Sequence, residues 1–157
     1  MRDRETLDAA SSKAQFRIGV FGVIIQDGKV LLGRRRDIDW WNLPGGGMEL
    51  GETVDEALRR EVLEETGLEV RVGRLVGVYS KPQKDEVVLA FLCYVEGGAL
   101  IETEEIVESR YFLPDALPAN TLPKHAERVR DAFLDQPAAI IRAQRSSTQA
   151  DQNLPDK

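Results

Sequence analysis

Residues 45–68 read Gly45-Gly46-Gly47-Met48-Glu49-Leu50-Gly51-Glu52-Thr53-Val54-Asp55-Glu56-Ala57-Leu58-Arg59-Arg60-Glu61-Val62-Leu63-Glu64-Glu65-Thr66-Gly67-Leu68, a glycine triplet followed by a run of helix formers. Thr53 and Glu56 have the spacing of a capping box, in which the threonine hydroxyl accepts from a first-turn N–H and the glutamate returns the bond. Gly67 is placed to end the helix, since glycine adopts the left-handed terminal conformation without steric penalty. These signals predict one helix over about Val54–Thr66. At about 100° per residue, with Val54 at zero, Leu58 falls at about 40°, Val62 at about 80° and Ala57 at about 300°. Those apolar residues define an inward stripe. Glu61 at about 340°, Glu65 at about 20° and Glu64 at about 280° share that part of the circumference.

Carboxylates bordering an apolar stripe need compensation, because burying them unpaired costs several kcal/mol each, on the order of a whole buried side chain's gain. No lysine or arginine lies on that arc of the helix; Arg59 and Arg60 fall at about 140° and about 240°. Two readings fit. A hard divalent cation prefers oxygen ligands and needs only one or two carboxylates beside substrate phosphates, and the spacings of Glu61 with Glu64 and Glu65 let all three converge. Alternatively the run is a solvated charged face supported by Glu56–Arg60 and Arg60–Glu64 pairs. The glycine triplet favours a ligand, since it brings backbone close to whatever the helix faces.

Outward from this stretch, Phe16–Ile25 is rich in β-branched and aromatic residues, Asp27-Gly28 is a hairpin turn signal, and Lys29–Arg34 continues as a second strand. Strand-like runs follow the helix at Leu68–Tyr79, Val87–Val95 and Ile106–Leu113, and a second amphipathic helix is expected over about Leu122–Leu134. The order predicts an α+β fold with a mixed β-sheet. Residues 1–14 read as a flexible N-terminal arm, 15–137 as the folded domain and 138–157 as a C-terminal tail. The 157 residues suit one domain, and 42% hydrophobic with 31% charged residues is an ordinary globular composition. No run of about 18 apolar residues is present, so a membrane helix is excluded. The net charge of −6 argues against a protein that wraps nucleic-acid duplexes. A lone cysteine, Cys93, and a polar start point to the cytoplasm.

Residues 46–68 resemble the signature of the Nudix hydrolases, G-x5-E-x7-R-E-U-x-E-E-x-G-U with U aliphatic, and every specified position is filled. A chance match has a probability of about 10⁻⁹ per window at average residue usage. The Trp-x-Leu-Pro-Gly-Gly lead-in at Trp41–Gly46, the strand pattern and the last helix extend the likeness from about Phe16 to about Leu134. The resemblance implies an α/β/α sandwich and a Mg²⁺- or Mn²⁺-dependent hydrolase of a nucleoside diphosphate linked to another moiety. It implies that Glu61, Glu64 and Glu65 hold metal or activate water, with a backbone carbonyl from Gly45 or Gly46. Arg60 would orient the carboxylates, and Glu52 would be structural. A further acidic residue is expected from a later loop, with Glu105 the best match and Glu102, Glu104 and Glu108 competing.

Gly46 and Gly47 are expected against the substrate. Because some members carry a phosphate-contacting lysine where this chain has Gly47, the basic run Arg34-Arg35-Arg36 is the alternative source of charge, with Arg34 and Arg36 as candidates. Trp40 or Tyr79 is expected to stack on a base. Pro82 stands about where ADP-ribose-cleaving members carry a proline. His125 reads as a surface or capping residue, Cys93 as core, and Trp41 with Leu43 as one packed strand face. The expected partner is a nucleotide-derived small molecule, with the chain a monomer or homodimer. Two alternatives are a non-catalytic nucleotide-sensing domain, which would be expected to lose carboxylates, and a prenyl-diphosphate isomerase, which calls for a cysteine near the site.

Overall fold

The computed structural model describes residues 15–145, so the expected arm at residues 1–14 lies outside the described part. The elements in chain order are β1 (Arg17–Gln26), β2 (Lys29–Arg35), β3 (Trp41–Asn42), β4 (Gly45–Gly47), α1 (Val54–Thr66), β5 (Leu68–Lys81), a 3₁₀ turn (Pro82–Lys84), β6 (Glu86–Gly98), β7 (Ile106–Phe112), α2 (Pro123–Phe133) and β8 (Ile140–Ala143). The hairpin turns at Asp27-Gly28, where both residues have positive φ, the conformation a two-residue turn requires.

Along one path the strands run β3-β2-β1-β6-β5-β8, with β4 on β1 and β7 on β2. β1 with β6 and β5 with β8 are parallel; the remaining pairs are antiparallel. β1 and β2 pair only near their turn, at Ile25 with Val30 and Gln26 with Lys29. Residues 41–47 enter the split beyond it, β3 bonding to β2 and β4 to β1. That wedge lays the glycine triplet beside α1.

Each face of the sheet carries one helix. Ala57, Leu58 and Val62 of α1 pack with Val20, Ile24 and Leu31, while Val129 and Ala132 of α2 pack with Phe21, Leu32, Trp41 and Leu43 on the other side. This is the expected α+β sandwich, and Trp41 and Leu43 do share a buried face. The expected tail is corrected at its start, where Ile140–Ala143 forms an edge strand on Gly77–Ser80; its residues 146–157 lie outside the described part. Arg142 fixes it by donating to Asp131 of α2 at 2.8 and 2.7 Å. Among the described residues, no helix is long and apolar enough to cross a membrane.

Candidate active site

The ends of α1 are closed as its sequence demands. Thr53 Oγ1 accepts from the Glu56 N–H at 3.1 Å, the Glu56 carboxylate accepts from the Thr53 N–H at 3.3 Å, and Gly67 takes φ 81°. A Cβ on Gly67 would lie 2.4 Å from the Ala99 carbonyl oxygen, so the position admits only glycine. With its apolar stripe fixed in the sheet, α1 turns Glu61 and Glu65 toward β4. Glu65 is only 2% exposed, and its Oε2 accepts from the Gly45 N–H at 3.1 Å. A Cβ on Gly46 would sit 2.7 Å from the Glu61 carboxyl group, so the bare backbone there is what allows this carboxylate in. Glu64 is the exposed member, on the outer side of the group.

Arg60 ties the surroundings together. Its Nε and Nη2 donate to the two Glu52 oxygens at 2.5 and 3.0 Å, its Nη1 to Glu61 at 3.1 Å and Glu64 at 3.3 Å, and its Nη2 also to the Gly47 carbonyl at 3.3 Å. The hydrogen bond from Arg60, with help from the Glu49 N–H, holds the Glu52 carboxyl below its ordinary range. Bonding first to Glu52 and then to Glu61 shifts the guanidinium upward. The inference that the helix carboxylates lack a cation is therefore corrected: Arg60 starts off the inward arc, but its side chain is long enough to reach Glu61.

Among the described residues no three His, Cys, Asp or Glu side chains form a ready-made metal group, so the expected convergence of Glu61, Glu64 and Glu65 on one point is not preassembled. The donor set nevertheless fits a hard cation, being all oxygen: two carboxylates packed against bare glycine backbone, a third at the rim, and backbone carbonyls of the triplet. Mg²⁺ is commonly held by one or two carboxylates with the substrate's own phosphates, which asks for no closed protein cage.

Other expected site residues separate into two groups. Glu105 lies in the connection to β7, exposed, with its carbonyl accepting from the Arg36 N–H at 2.8 Å. Arg36 reaches along the same connection, to Glu102 at 2.6 Å and to the carbonyls of Thr103 and Glu104. Arg34 pairs with Glu108 at 3.4 Å and Asp39 at 3.3 Å. Both arginines expected at a phosphate are thus engaged with carboxylates of their own chain. Trp40 is half-buried just before β3.

Tyr79 is a correction: it is fully buried on the α2 face and donates its hydroxyl to Asp131 at 2.8 Å, so it stacks on no ligand. Burial and that bond push its phenol upward. His125 is likewise not a surface residue, being 2% exposed with Nδ1 accepting from the Leu43 N–H at 3.0 Å. Cys93 packs in the α1-side core, and burial pushes its thiol up to about 12, which suits neither a nucleophile nor the isomerase alternative. Asn42, beside the glycine triplet and fully buried, was not singled out by sequence. The signal was available, since Trp41 and Leu43 packing one way turns Asn42 the other.

Known proteins show the same framework. A curated relative, the putative 8-oxo-dGTP diphosphatase of Bacillus subtilis (strain 168), is 33% identical over 115 residues, covering 72% of this chain and 77% of its own. The ADP-ribose pyrophosphatase of Methanocaldococcus jannaschii is 40% identical over 116 residues, 69% of this chain and 66% of its own. The crystal structure of an ADP-ribose pyrophosphatase from Streptococcus suis 89-1591 superimposes with TM-score 0.69 at 25% identity, covering 83% of this chain and all of that one. The model of the NUDIX domain matches residues 15–134. With the signature intact on α1 and its fold around it, the chain belongs to the NUDIX family, which bears out the resemblance and with it the expected pyrophosphohydrolase class.

Proposed function

We propose that this protein is a divalent-metal-dependent hydrolase, acting in the cytoplasm as a monomer or homodimer. In this reading it cleaves the pyrophosphate bond of a nucleoside diphosphate linked to a second group, with an ADP-ribose-like compound as the first substrate to test. The observation that carries the reading is Glu65, a carboxylate buried against the glycine triplet and held by the Gly45 N–H, with Glu61 beside it against Gly46. Glu61, Glu64, Glu65 and the Gly45 carbonyl would hold Mg²⁺ or Mn²⁺, which when bound polarises phosphoryl oxygens and lowers the pKa of water.

The chain's own residues do the positioning. Arg60 keeps Glu61 and Glu64 oriented while Glu52 absorbs much of its charge. Gly46 and Gly47 offer backbone to the diphosphate; nothing stands within 4 Å of where a Gly47 Cβ would lie, so that flank is open to a ligand. Trp40 is the remaining candidate to stack on the base, and Glu105, or a helix carboxylate left free of the ions, takes the proton from the attacking water. Arg34 and Arg36, each already paired with a carboxylate of the chain, are the basic candidates to contact phosphate. The ADP-ribose preference is supported by the names of two similar proteins and by Pro82, which opens the 3₁₀ turn after β5. The diphosphatase named for 8-oxo-dGTP makes nucleoside triphosphates the comparison class.

A panel of ADP-ribose, other nucleoside diphosphate conjugates and triphosphates, run with Mg²⁺ or Mn²⁺ in ¹⁸O-labelled water, tests this. Label is expected on a phosphate product. Label confined to a sugar carbon, or no turnover across the panel with either ion, would overturn it.

A further inference from the structure

Asn42 of β3 and Ser109 of β7 are both register partners of Gly33 in β2, one on each side. Residues opposite one another in antiparallel strands point to the same face. For this row it is the α1 face, because Leu31, two residues before Gly33, packs with Leu58 and Val62. The middle of the row has no side chain, and a Cβ on Gly33 would meet Ile106 at 3.0 Å. A narrow gap with no room for a water molecule is left around Gly33, walled by Asn42, Ser109, Ile106, Pro44 and Glu65 among others. Asn42 is fully buried, and among the described residues neither of its amide atoms nor the buried Ser109 Oγ has a hydrogen-bond partner. Buried polar atoms are retained against the cost of leaving water only where something uses them. The charged group on the wall of this gap is Glu65.

We propose that Asn42 and Ser109 are positioning residues for Glu65: they present a neutral amide and a hydroxyl across a gap that no water fills, and with metal bound they donate directly to its carboxylate and hold it facing the metal. This rests on the reading of Glu65 as a metal ligand. A cation in the same place would compete with the metal for the carboxylate, whereas neutral donors orient it and leave its charge available. Gly45 supplies one such donor from the backbone, and the row across β3, β2 and β7 supplies the others.

The test is Mn²⁺ binding to the full chain, read by the electron paramagnetic resonance of free Mn²⁺, which needs no substrate. Asn42→Leu is expected to weaken binding about tenfold, Ser109→Ala severalfold, and Ser109→Thr to restore it, as is common for groups that orient a metal ligand. The double variant should bind no more than about twofold worse than Asn42→Leu alone, since both act through one carboxylate. A crystal structure of the unaltered protein with Mn²⁺ bound should show the Asn42 amide or the Ser109 hydroxyl donating directly to Glu65. Should Asn42→Leu not fold, the Ser109→Ala and Ser109→Thr pair carries the test. Wild-type affinity in folded Asn42→Leu and Ser109→Ala, strictly additive losses, or no Mn²⁺ binding by the unaltered protein would overturn the proposal. Sensitive Mn²⁺ binding without turnover on any diphosphate would sink the hydrolase reading alone.

Discussion

Glu64 and Glu65 are adjacent in sequence and opposite in situation, which separates their expected variants. Glu65→Gln keeps an oxygen for the Gly45 N–H, so the fold should stand while the buried charge is lost; turnover is expected to fall at least about 10²-fold. Glu64→Gln, on the exposed rim, should lose turnover similarly with an unchanged melting temperature, and near-full activity in either variant with intact metal affinity would place the ions elsewhere. Replacing His125 by Ala strands the buried Leu43 N–H, a penalty of about 1–3 kcal/mol, so that variant is expected to melt earlier yet turn over within about tenfold of the parent. Cys93→Ser should likewise stay within about tenfold, because no step uses its thiol. A thousandfold loss in folded His125→Ala, measured under saturating metal, would restore a catalytic histidine. Tyr79 shows why single residues were harder to read than motifs. Val76 and Tyr79, three apart in β5, both enter the α2-side core, which strict alternation forbids; the register shifts between Leu75 and Gly77 make it possible, and a bulge of this kind leaves little local signal.

Elements whose limits are set locally were legible. The capping box and Gly67 bound α1, Asp27-Gly28 turns the first hairpin, and both helices lie within a residue of their expected ends, because each signal is a hydrogen bond or a φ angle made by neighbours. What needed distant partners was missed. Ile140–Ala143 is too short and too exposed to announce itself and becomes a strand only by adding to β5, and Gly45–Gly47, whose glycines carry no strand signal, becomes β4 only where β1 and β2 part, whereas a strand face at Trp41 and Leu43 was expected. The same limit applies within the site: the glutamates and the Arg60–Glu64 pair were visible from their spacing, but the Arg60 bonds to Glu52 depend on how the loop before α1 folds back. β8 also has an energetic role. Asp131 is 3% exposed and takes two bonds from Arg142 and one from Tyr79. Arg142→Ala leaves that buried carboxylate short of its cation, and a loss of about 3 kcal/mol is expected in urea unfolding, with Arg142→Lys recovering part of it.

At the scale of the whole molecule, the parallel pair of β1 and β6 sets the order of events. Ile18 lies beside Val87 and Ile24 beside Cys93, yet β2, the glycine triplet, α1 and β5 all fall between these strands in the chain. Joining strands so far apart costs loop entropy before their contacts repay it. During synthesis, then, a growing chain displays the whole signature, Gly46 through Leu68, while the partner that anchors β1 has yet to be made. A product ending at Asp85 would contain every residue a motif search looks for and should bind no Mn²⁺, whereas extension through Gly98 supplies the missing strand. For this protein, possession of the signature and possession of the site are separated by a length of polypeptide.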